Sequence, residues 1–559
     1  MTVITYASKS AFKNLCLNFV LHNYHMRMGR ESSKQARYPI RLILRLKRDR
    51  LSQLPDTLIC HILSHLPIKE TVTTSVLSTR WKNLWLKVPS LELIFSIFPN
   101  FNAFKSFGDS FFDSNRVSSI NNLKLYFDEH DASYLTSWIN AFVTRNIQRL
   151  YVRRVRGNYF HELPLSLYVC DTLVSLKLFH LTLVNPEFVS LPCLKIMHLN
   201  YVWFPNDATF ERLVASCPVL EDLKIDVLWN DGRVYRVQSR SLKRLRLLRS
   251  SSMVFDSVPG VVIDAPLLCY LRISDHVSET YIVSNLKSNA KLDIHLDFGS
   301  EDCGETSVSS RRSHIRSFLP AISKVMDLTI SENIFKVIHH YSNLAPLPQF
   351  DNMSRLHVTL RVSELKWLPN FLECCPNLKS LIVAFNGDFE KMGSEEMNQI
   401  SFLLGMTRIV DMTIFMYTSK VIRHYSLLEP LPQFGYMFGY MSHMHVTLSM
   451  SLIKWLPIFL ESCPKLKSLV LVFLGCEKIN QLSFSSVNPK CLLSSLEFVE
   501  LDAQIMGFDE ELLNLAKYFL ENSSILQKIT VHRNIHGSTY EGLISKFRRR
   551  SRLCQVILI

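Results

Sequence analysis

The sequence predicts an α/β protein in which a compact helical module is followed by an irregular array of leucine-rich strand-helix repeats. Three observations support this fold class. Short leucine-containing phrases recur through most of the chain, a helix-periodic segment precedes them, and a last helix-strand pattern follows them near the carboxyl end. With 47% hydrophobic and 20% charged residues, the composition is globular and excludes disordered and collagen-like classes.

The repeats are visible as one phrase that returns with small changes. It reads CDTLVSLKL at 170–178, LPCLKIMHL at 191–199, CPVLEDLKI at 217–225, SLKRLRL at 241–247, APLLCYLRI at 265–273, CPNLKSLIV at 375–383 and CPKLKSLVL at 463–471. The first leucines of the first five copies are spaced by 21, 26, 22 and 26 residues. Such spacing is typical of solenoids, in which stacked units bury an apolar face that one unit cannot bury alone. We therefore predict a leucine-rich-repeat solenoid over residues 94–480.

Within each phrase, apolar and polar residues alternate as expected of a half-buried strand. The alternation predicts that Leu378 and Leu381 lie in the core, while Lys379 and Ser380 are exposed. Between strands, segments such as ATFERLVASCP have apolar residues at helical spacing. The strands are therefore expected to line the inner surface of a curved array, with helical stretches between them.

A longer repeat overlies the short one. The two copies are residues 325–385 and 409–473. Asp327 matches Asp411 at an offset of 84 residues, and Trp367 matches Trp455 at an offset of 88. The four additional residues fall in the Gly-Tyr-rich stretch GYMFGYM, which suits an exposed loop. This internal duplication lengthens the array.

Residues 49–93 differ in pattern from the repeats. Pro55 and Asp56 favour a helix start, since proline presets the first turn and an acidic side chain stabilises the positive end of the helix dipole. Apolar residues then keep a helical spacing, a second short helix is predicted after Pro67, and Ser78 precedes a third helical pattern. A three-helix module of this size has little core of its own, so its surplus apolar surface is expected to form an interface.

The motifs of this module resemble the F-box, the helical domain through which a substrate receptor binds the Skp-type adaptor of an SCF ubiquitin ligase. The resemblance is carried by Leu54-Pro55, Ile62-Leu63-Ser64, Leu66-Pro67, Val76-Leu77-Ser78 and Arg80-Trp81, with Trp85 added. Their order and spacing resemble those of the plant subgroup. The resemblance implies binding to the adaptor, and through it to a cullin. The implied adaptor-binding residues are Leu54, Pro55, Leu58, Ile62, Leu63, Leu66, Pro67, Val76, Leu77, Trp81 and Trp85.

The rest of the chain extends the resemblance. The repeats, the phrase HHYSNLAPLPQF and the tail MGFDEELLNLAKYFLENSSILQKITV are together similar to the plant F-box/FBD/leucine-rich-repeat family. The residues expected to be buried in the tail are Leu512, Leu513, Ala516, Phe519 and Leu520 on a helix and Ile529 and Val531 on a strand. An FBD-like region at 481–559 is therefore expected to close the array as an αβ unit. The long basic leader and the duplicated Pro-Leu-Pro-Gln-Phe unit depart from the family pattern.

The net charge of +14 is concentrated towards the ends of the chain. Residues 1–50 carry eleven basic side chains against Glu31 and Asp49, which leaves +5 for the other 509 residues. A second basic cluster occupies residues 546–552. Terminal charge runs are more typical of solvated ends than of a phosphate-binding face, so no nucleic-acid partner is expected. Residues 1–48 are interpreted as a disordered basic leader, with an organellar transit peptide or an artefact of start-site choice as the alternatives.

No motif of an enzyme is found in the sequence. The sequence contains none of the motifs G-x-S-x-G, the phosphate loop, HExxH or the dinucleotide fingerprint. The histidines His339, His340 and His424 recur only because their segment is duplicated. The thirteen cysteines form no C-x-x-C pair and follow no signal peptide, which disfavours zinc and disulfides and indicates a reducing compartment. No apolar run approaches the roughly 18 residues of a spanning helix. We expect no catalytic site, cofactor, metal or membrane partner, and a location in the nucleus or cytoplasm.

The leading hypothesis is a non-catalytic substrate receptor of an SCF-type ubiquitin ligase, whose leucine-rich repeats capture an unknown protein substrate for ubiquitination. Such a receptor acts by proximity, because it raises the effective concentration of the substrate near the ligase. One alternative is a leucine-rich-repeat interaction protein that acts without ubiquitylation. Another is a small-molecule-sensing receptor. Binding of the box to the adaptor distinguishes the first two hypotheses, and the third requires polar groups that converge on one pocket.

Overall fold

The structure, a computed structural model, describes most of the chain beyond the leader. The described residues are 53–112, 120–128, 133–155, 161–228, 234–250, 260–275, 281–284, 286–296, 318–343, 345–385, 409–416, 440–449, 456–461, 463–474, 489–503, 509–532 and 547–559. They belong to two compact units, Met1–Leu194 and Lys195–Ile559. The leader predicted at 1–48 lies outside the described residues.

The first unit begins with the predicted helical module. Its helices are α1 (Asp56–Leu63) and α2 (Ile68–Thr73), and its 3₁₀ segments are Thr74–Val76 and Trp81–Lys87. The third predicted helix is thus a 3₁₀ helix instead of an α-helix. A 3₁₀ helix has three residues per turn, which places the buried Trp81 and Leu84 on one side. The sequence places the N-cap of this helix at Ser78, but the helix begins at Trp81, so Arg80 holds the N-cap position and no side chain caps it. Oγ of Ser78 still accepts a hydrogen bond from the backbone N–H of Trp81 at 3.4 Å.

A parallel sheet follows the module in the first unit. Its strands are β1 (Ser90–Ile94), β2 (Asn122–Phe127), β3 (Arg149–Arg154) and β5 (Ser175–Phe179), and a separate pair consists of β4 (His161–Glu162) and β6 (Leu181–Thr182). The helical segments between them are α3 (Phe101–Phe112), α4 (Ser133–Val143) and the 3₁₀ turns Phe95–Ile97 and Leu165–Val169. In register, Leu123, Leu150 and Leu176 are neighbours and all are buried. The apolar positions of the repeats therefore form the core of this unit.

The second unit contains a longer parallel sheet of the same kind. Its strands, each paired with the next, are β7 (Ile196–Asn200), β8 (Asp222–Leu228), β10 (Arg244–Ser250), β12 (Tyr270–Asp275), β14 (Lys291–Leu296), β15 (Asp327–Ile330), β16 (Arg355–Leu360), β17 (Ser380–Phe385), β18 (Asp411–Met416), β19 (His443–Ser449), β20 (Ser468–Leu474), β21 (Phe498–Ala503), β22 (Lys528–Val531) and β23 (Gln555–Leu558). Because consecutive repeats supply neighbouring strands, the sheet follows the order of the chain.

Helices and a second small sheet complete the second unit. The helical segments are α5 (Asp207–Ala215), α6 (Glu332–Ser342), the 3₁₀ helix Val362–Trp367, α7 (Leu368–Glu373), α8 (Leu456–Glu461), α9 (Lys490–Ser494) and α10 (Asp509–Asn522), and residues 318–322 are also helical. The small parallel sheet consists of β9 (Tyr235–Gln238), β11 (Val261–Asp264) and β13 (Tyr281–Ser284). This second sheet is not evident from the leucine phrases.

The predicted strand phase is confirmed at β17. Leu378 and Leu381 are buried and Lys379 is exposed, as predicted, but Ser380 is half-buried where the prediction has it exposed. In the helix predicted from ATFERLVASCP, Phe210, Leu213 and Val214 are buried, as their spacing indicates. That helix, α5, begins after Asn206, whose side chain accepts a hydrogen bond from the N–H of Thr209 at 2.8 Å.

The closing αβ unit has the predicted helix and strand, with one difference on the helix. In α10, Leu512, Ala516, Phe519 and Leu520 are buried, but Leu513 is only partly buried and Leu515 is fully buried in its place. The buried face of α10 is therefore rotated slightly around the helix axis relative to the predicted face. In β22, Ile529 and Val531 are buried, as expected.

Candidate functional site

The helical module has a small core of its own. Six buried residues form it, and Leu54 and Leu66 pack against it. The six are Ile59, Cys60, Leu63, Trp81, Leu84 and Val88. The Cys60 thiol donates to the carbonyl of Leu84 at 3.5 Å, and the buried Thr71 hydroxyl donates to the carbonyl of Leu63 at 3.2 Å. These contacts join the helices into one body that can present a fixed surface.

An ion-pair cluster fixes the start of α1. The Arg80 guanidinium donates to the carbonyl of Leu54 at 2.6 Å and to Oδ1 of Asp56 at 2.8 Å, and Nζ of Lys87 lies 3.3 Å from Oδ2 of Asp56. The hydrogen bonds from Arg80 and Lys87 hold the pKa of Asp56 below its ordinary value. The groups are exposed, so their contribution to stability is small, but they orient the amino-terminal end of the module.

Among the described residues of the module, four large apolar side chains are exposed to solvent. Leu58 and Ile62 are 49% and 43% exposed, and because they are four residues apart on α1 they lie on the same face of that helix. Val76 and Leu77, at the end of the second helical segment, are 47% and 49% exposed. Large apolar residues exposed together on a module that has a satisfied core are typical of an interaction surface.

Apart from Trp85, the predicted adaptor-binding residues fall into three groups. Leu58, Ile62, Val76, Leu77, Pro55 and Pro67 are exposed, Leu54 and Leu66 are partly buried against the core, and Leu63 and Trp81 are buried in it. The members of the buried pair can act only indirectly, by holding the helices in position. The exposed group is the part of the prediction that can contact another protein.

Trp85 contacts the chain itself. Its ring lies 6.1 Å from the ring of Phe107 and 5.8 Å from that of Phe111, both on α3, the first helix after the module. Such aromatic contacts stabilise beyond the area they bury. The structure therefore places Trp85 where it joins the module to the first repeat, a role that its position in the motif does not reveal.

On the solvent face of the second unit's sheet, charged side chains pair with one another. The carboxylate of Asp222 lies 3.1 Å from the guanidinium of Arg246 and 3.2 Å from that of Arg244. Burial raises the pKa of Asp222, but the neighbouring His198 and the hydrogen bonds from Arg246 outweigh burial and hold this pKa below its ordinary value. Further pairs are Lys224 with Asp226, Arg272 and His295 with Asp293, Lys291 and Arg355 with Asp327, His443 with Asp411 and His532 with Glu500. These charges largely neutralise each other across neighbouring strands.

The solvent face of the first unit's sheet has a different character, and its residues were missed in the sequence. We call the set Lys124, Tyr126, Arg149, Tyr151, Arg153, Lys177 and Phe179 the aromatic-basic patch. All are at outward positions of β2, β3 and β5, and each is next to at least one buried apolar residue of its strand. The alternation in NLKLYF, RLYVRR and SLKLF contains this signal, but only the register of the strands brings the residues together.

Other kinds of site find no support in the described part of the chain. No group of three or more His, Cys, Asp or Glu side chains there is placed to hold a metal ion. No helix in those residues has the length and apolar character needed to cross a membrane. His339, one of the histidines in the duplicated segment, stacks on Trp367 with ring centroids 4.0 Å apart. That contact is structural.

A helical module with an exposed apolar surface, followed by strand-lined leucine-rich repeats and a closing αβ unit, defines an F-box protein of the leucine-rich-repeat class. The comparisons with known families agree. Residues 51–93 match the F-box domain, residues 135–291 match the LRR repeats of FBD-associated F-box protein At5g56370, and residues 485–531 match the FBD. These families are generally non-catalytic adaptors, and no catalytic domain is indicated.

Three proteins from Arabidopsis thaliana are similar to this chain, and each alignment covers nearly the whole length of both proteins. Putative F-box/FBD/LRR-repeat protein At5g25850 is 77% identical over 95% of this chain and 99% of its own. Putative FBD-associated F-box protein At5g53635 is 48% identical over 91% and 100%, and putative F-box/FBD/LRR-repeat protein At2g05300 is 47% identical over 92% and 98%. The chain belongs to the plant F-box/FBD/leucine-rich-repeat family.

Proposed function

We propose that this protein is a non-catalytic substrate receptor of an SCF-type ubiquitin ligase. Its F-box binds a Skp-type adaptor, and through the adaptor a cullin. Its leucine-rich repeats capture a protein substrate, which is ubiquitylated because it is held near the catalytic subunits of the ligase. The observation that carries the proposal is the exposed apolar surface of the F-box, formed by Leu58, Ile62, Val76 and Leu77.

The division of labour between the domains supports the proposal. The F-box has its own core, so its outer surface is free to bind a partner without loss of the fold. The repeats present a continuous row of outward side chains on each sheet, a surface suited to a protein partner. We propose the division into a leader at 1–48, an F-box at 49–93, repeats at 94–480 and an FBD-like region at 481–559.

A location in the nucleus or cytoplasm is part of the proposal. Each of the ten cysteines that the structure describes is free. Several of them are buried; burial raises the pKa of Cys217 and of Cys491 to about 12, which keeps these thiols protonated and unreactive. Buried free thiols are typical of proteins that work in a reducing compartment.

A capture experiment with a purified plant Skp-type adaptor tests the proposal. The double variant Leu58→Asp with Ile62→Asp places two carboxylates on the exposed face of α1 without entering the core. Loss of apolar anchors at an interface centre typically costs about 2 kcal/mol or more, so we expect adaptor binding to weaken roughly thirtyfold or more.

The matched control is Asn83→Asp, which adds the same side chain at an exposed position of the same module. Its adaptor binding should equal that of the unmodified protein. Adaptor binding that survives in the Leu58 and Ile62 variant would reject the proposed surface. If the unmodified protein itself fails to bind, the alternative of an interaction protein that acts without ubiquitylation is favoured.

A further inference from the structure

The aromatic-basic patch is organised around one tyrosine. In the register of the sheet, Tyr151 on β3 lies between Lys124 on β2 and Lys177 on β5. Arg149 and Arg153 precede and follow it by two positions on its own strand, so they point to the same side. Tyr151 is thus flanked by a cationic residue on each of its four sides.

Two more aromatic rings occupy the corners of this arrangement. The rings of Tyr126 and Phe179 lie 5.1 and 5.0 Å from that of Tyr151, and the guanidinium of Arg153 lies 5.6 Å from the centre of the Phe179 ring. Burial and the neighbouring Tyr151 raise the pKa of Tyr126 to about 12, so its hydroxyl is neutral at physiological pH. The patch therefore combines an apolar aromatic floor with positive charge around it.

Three of the four cations of this patch have no ion-pair partner among the described residues, unlike the paired cations of the second unit. The exception is Lys124, whose Nζ lies 3.5 Å from Oε2 of Glu92. For Arg149, Arg153 and Lys177, by contrast, the described residues supply no carboxylate within the 4.0 Å of an ion pair. In the second unit, comparable outward cations such as Arg246 and Arg272 are paired with aspartates on neighbouring strands. Like charges placed side by side cost free energy unless an anion offsets them.

We infer that the aromatic-basic patch is the docking site for an acidic segment of the protein substrate, one that carries an apolar side chain among its carboxylates. Carboxylates of the segment would bind Arg149, Arg153 and Lys177, since guanidinium groups match carboxylate geometry. An apolar side chain would pack on the aromatic rings, as Tyr and Phe commonly do at interface centres. The inference rests on the proposed function and names the class of substrate.

The extent of the patch favours a short peptide over a nucleic acid. Three adjacent strands and a few residues along them cover roughly 10 Å by 13 Å, the span of about four extended residues. A nucleic-acid groove needs positive charge that follows a longer backbone. Among the described residues of the second unit, outward cations such as Lys224, Arg244 and Lys291 are paired with aspartates.

Fluorescence anisotropy with the full-length protein tests the inference. The probe is a fluorescein-labelled peptide of sequence Gly-Ser-Asp-Glu-Phe-Glu-Asp-Ser-Gly, and its neutral counterpart replaces every acid by the amide. The unmodified protein should bind the acidic probe, more weakly as salt rises, and the neutral probe much less. Arg149→Gln with Lys177→Gln should weaken binding about tenfold or more. Tyr151→Ala should weaken it while the salt dependence remains.

The matched control is Arg355→Gln with Lys528→Gln, which removes two exposed cations from outward strand positions of the second unit. Its binding should be unchanged. Equal binding of the acidic and neutral probes, or an equal loss in the control, would overturn the inference. Displacement of the probe by a single-stranded DNA oligonucleotide at similar concentration would also overturn it and would assign the patch to a nucleic acid.

Adaptor capture on the same variants separates this inference from the proposed function. Both double variants should still bind the adaptor, because their substitutions lie outside the F-box. If the adaptor binds but the acidic probe does not, the inference fails and the proposed function stands. If the probe binds but the adaptor does not, the patch still recognises acidic segments but the ligase role is rejected.

Discussion

Leu381 offers a demanding test of how the repeats are built. It is fully buried on β17, and in register it lies between Leu356 on β16 and Met412 on β18, both also buried. Leu381→Ala removes three carbons, worth about 0.8 kcal/mol each in lost burial, and the cavity adds to this. We therefore expect a loss of about 2 to 5 kcal/mol in the free energy of unfolding, which lowers Tm by roughly 3 to 7 °C for a unit of this size.

Lys379 provides the comparison for this variant because it is two residues away and exposed. Lys379→Ala should change the free energy of unfolding by no more than about 0.5 kcal/mol. Thermal melts followed by circular dichroism, with urea unfolding as a second probe, measure both variants. Equal shifts in the two would mean that the strand phase is wrong, and with it the assignment of buried and outward positions throughout the array.

Two further predictions follow from particular contacts. A methyl group at Gly108 would overlap the indole of Trp138, so Gly108→Ala should lower the free energy of unfolding by about 1 to 3 kcal/mol. The control Ser106→Ala, at an exposed position of the same helix, should leave the free energy of unfolding nearly unchanged. Urea titrations of both variants measure the difference. Burial raises the pKa of Asp222, but the neighbouring His198 and the hydrogen bonds from Arg246 outweigh burial and hold this pKa well below its ordinary value. The carboxylate therefore stabilises the fold above about pH 4 and loses this effect as pH falls further. Asp222→Asn should therefore be less stable than the unmodified protein at pH 7, with a difference that narrows below about pH 4; a constant difference across that range would contradict the pairing.

Local patterns predicted much of the fold. The leucines of β17, the buried face of α5 and the strand β22 follow from spacing along the chain alone, because side chains on a strand or helix repeat with a fixed period. The F-box helices are predicted for the same reason. The third of them is a 3₁₀ helix, which its apolar spacing does not predict, because residues three apart also share a face of an α-helix.

Contacts between distant residues could not be predicted in this way. The packing of Trp85 on Phe107 and Phe111 depends on where α3 lies, and the aromatic-basic patch depends on which residues of β2, β3 and β5 are level with each other. Register is set by the whole sheet and not by one strand. The exposure of Leu58 and Ile62, in contrast to the burial of Leu63, likewise appears only once the helices are packed.

Calorimetric titration of a purified Skp-type adaptor into the full-length protein tests the central claim most directly. The proposed receptor role predicts saturable binding of one adaptor per chain, with a negative heat-capacity change because apolar surface is buried. The same titration with the Leu58→Asp and Ile62→Asp variant should give much weaker binding. An unmodified protein that is folded by its thermal melt, yet gives neither binding heat nor co-elution with the adaptor, would contradict the claim.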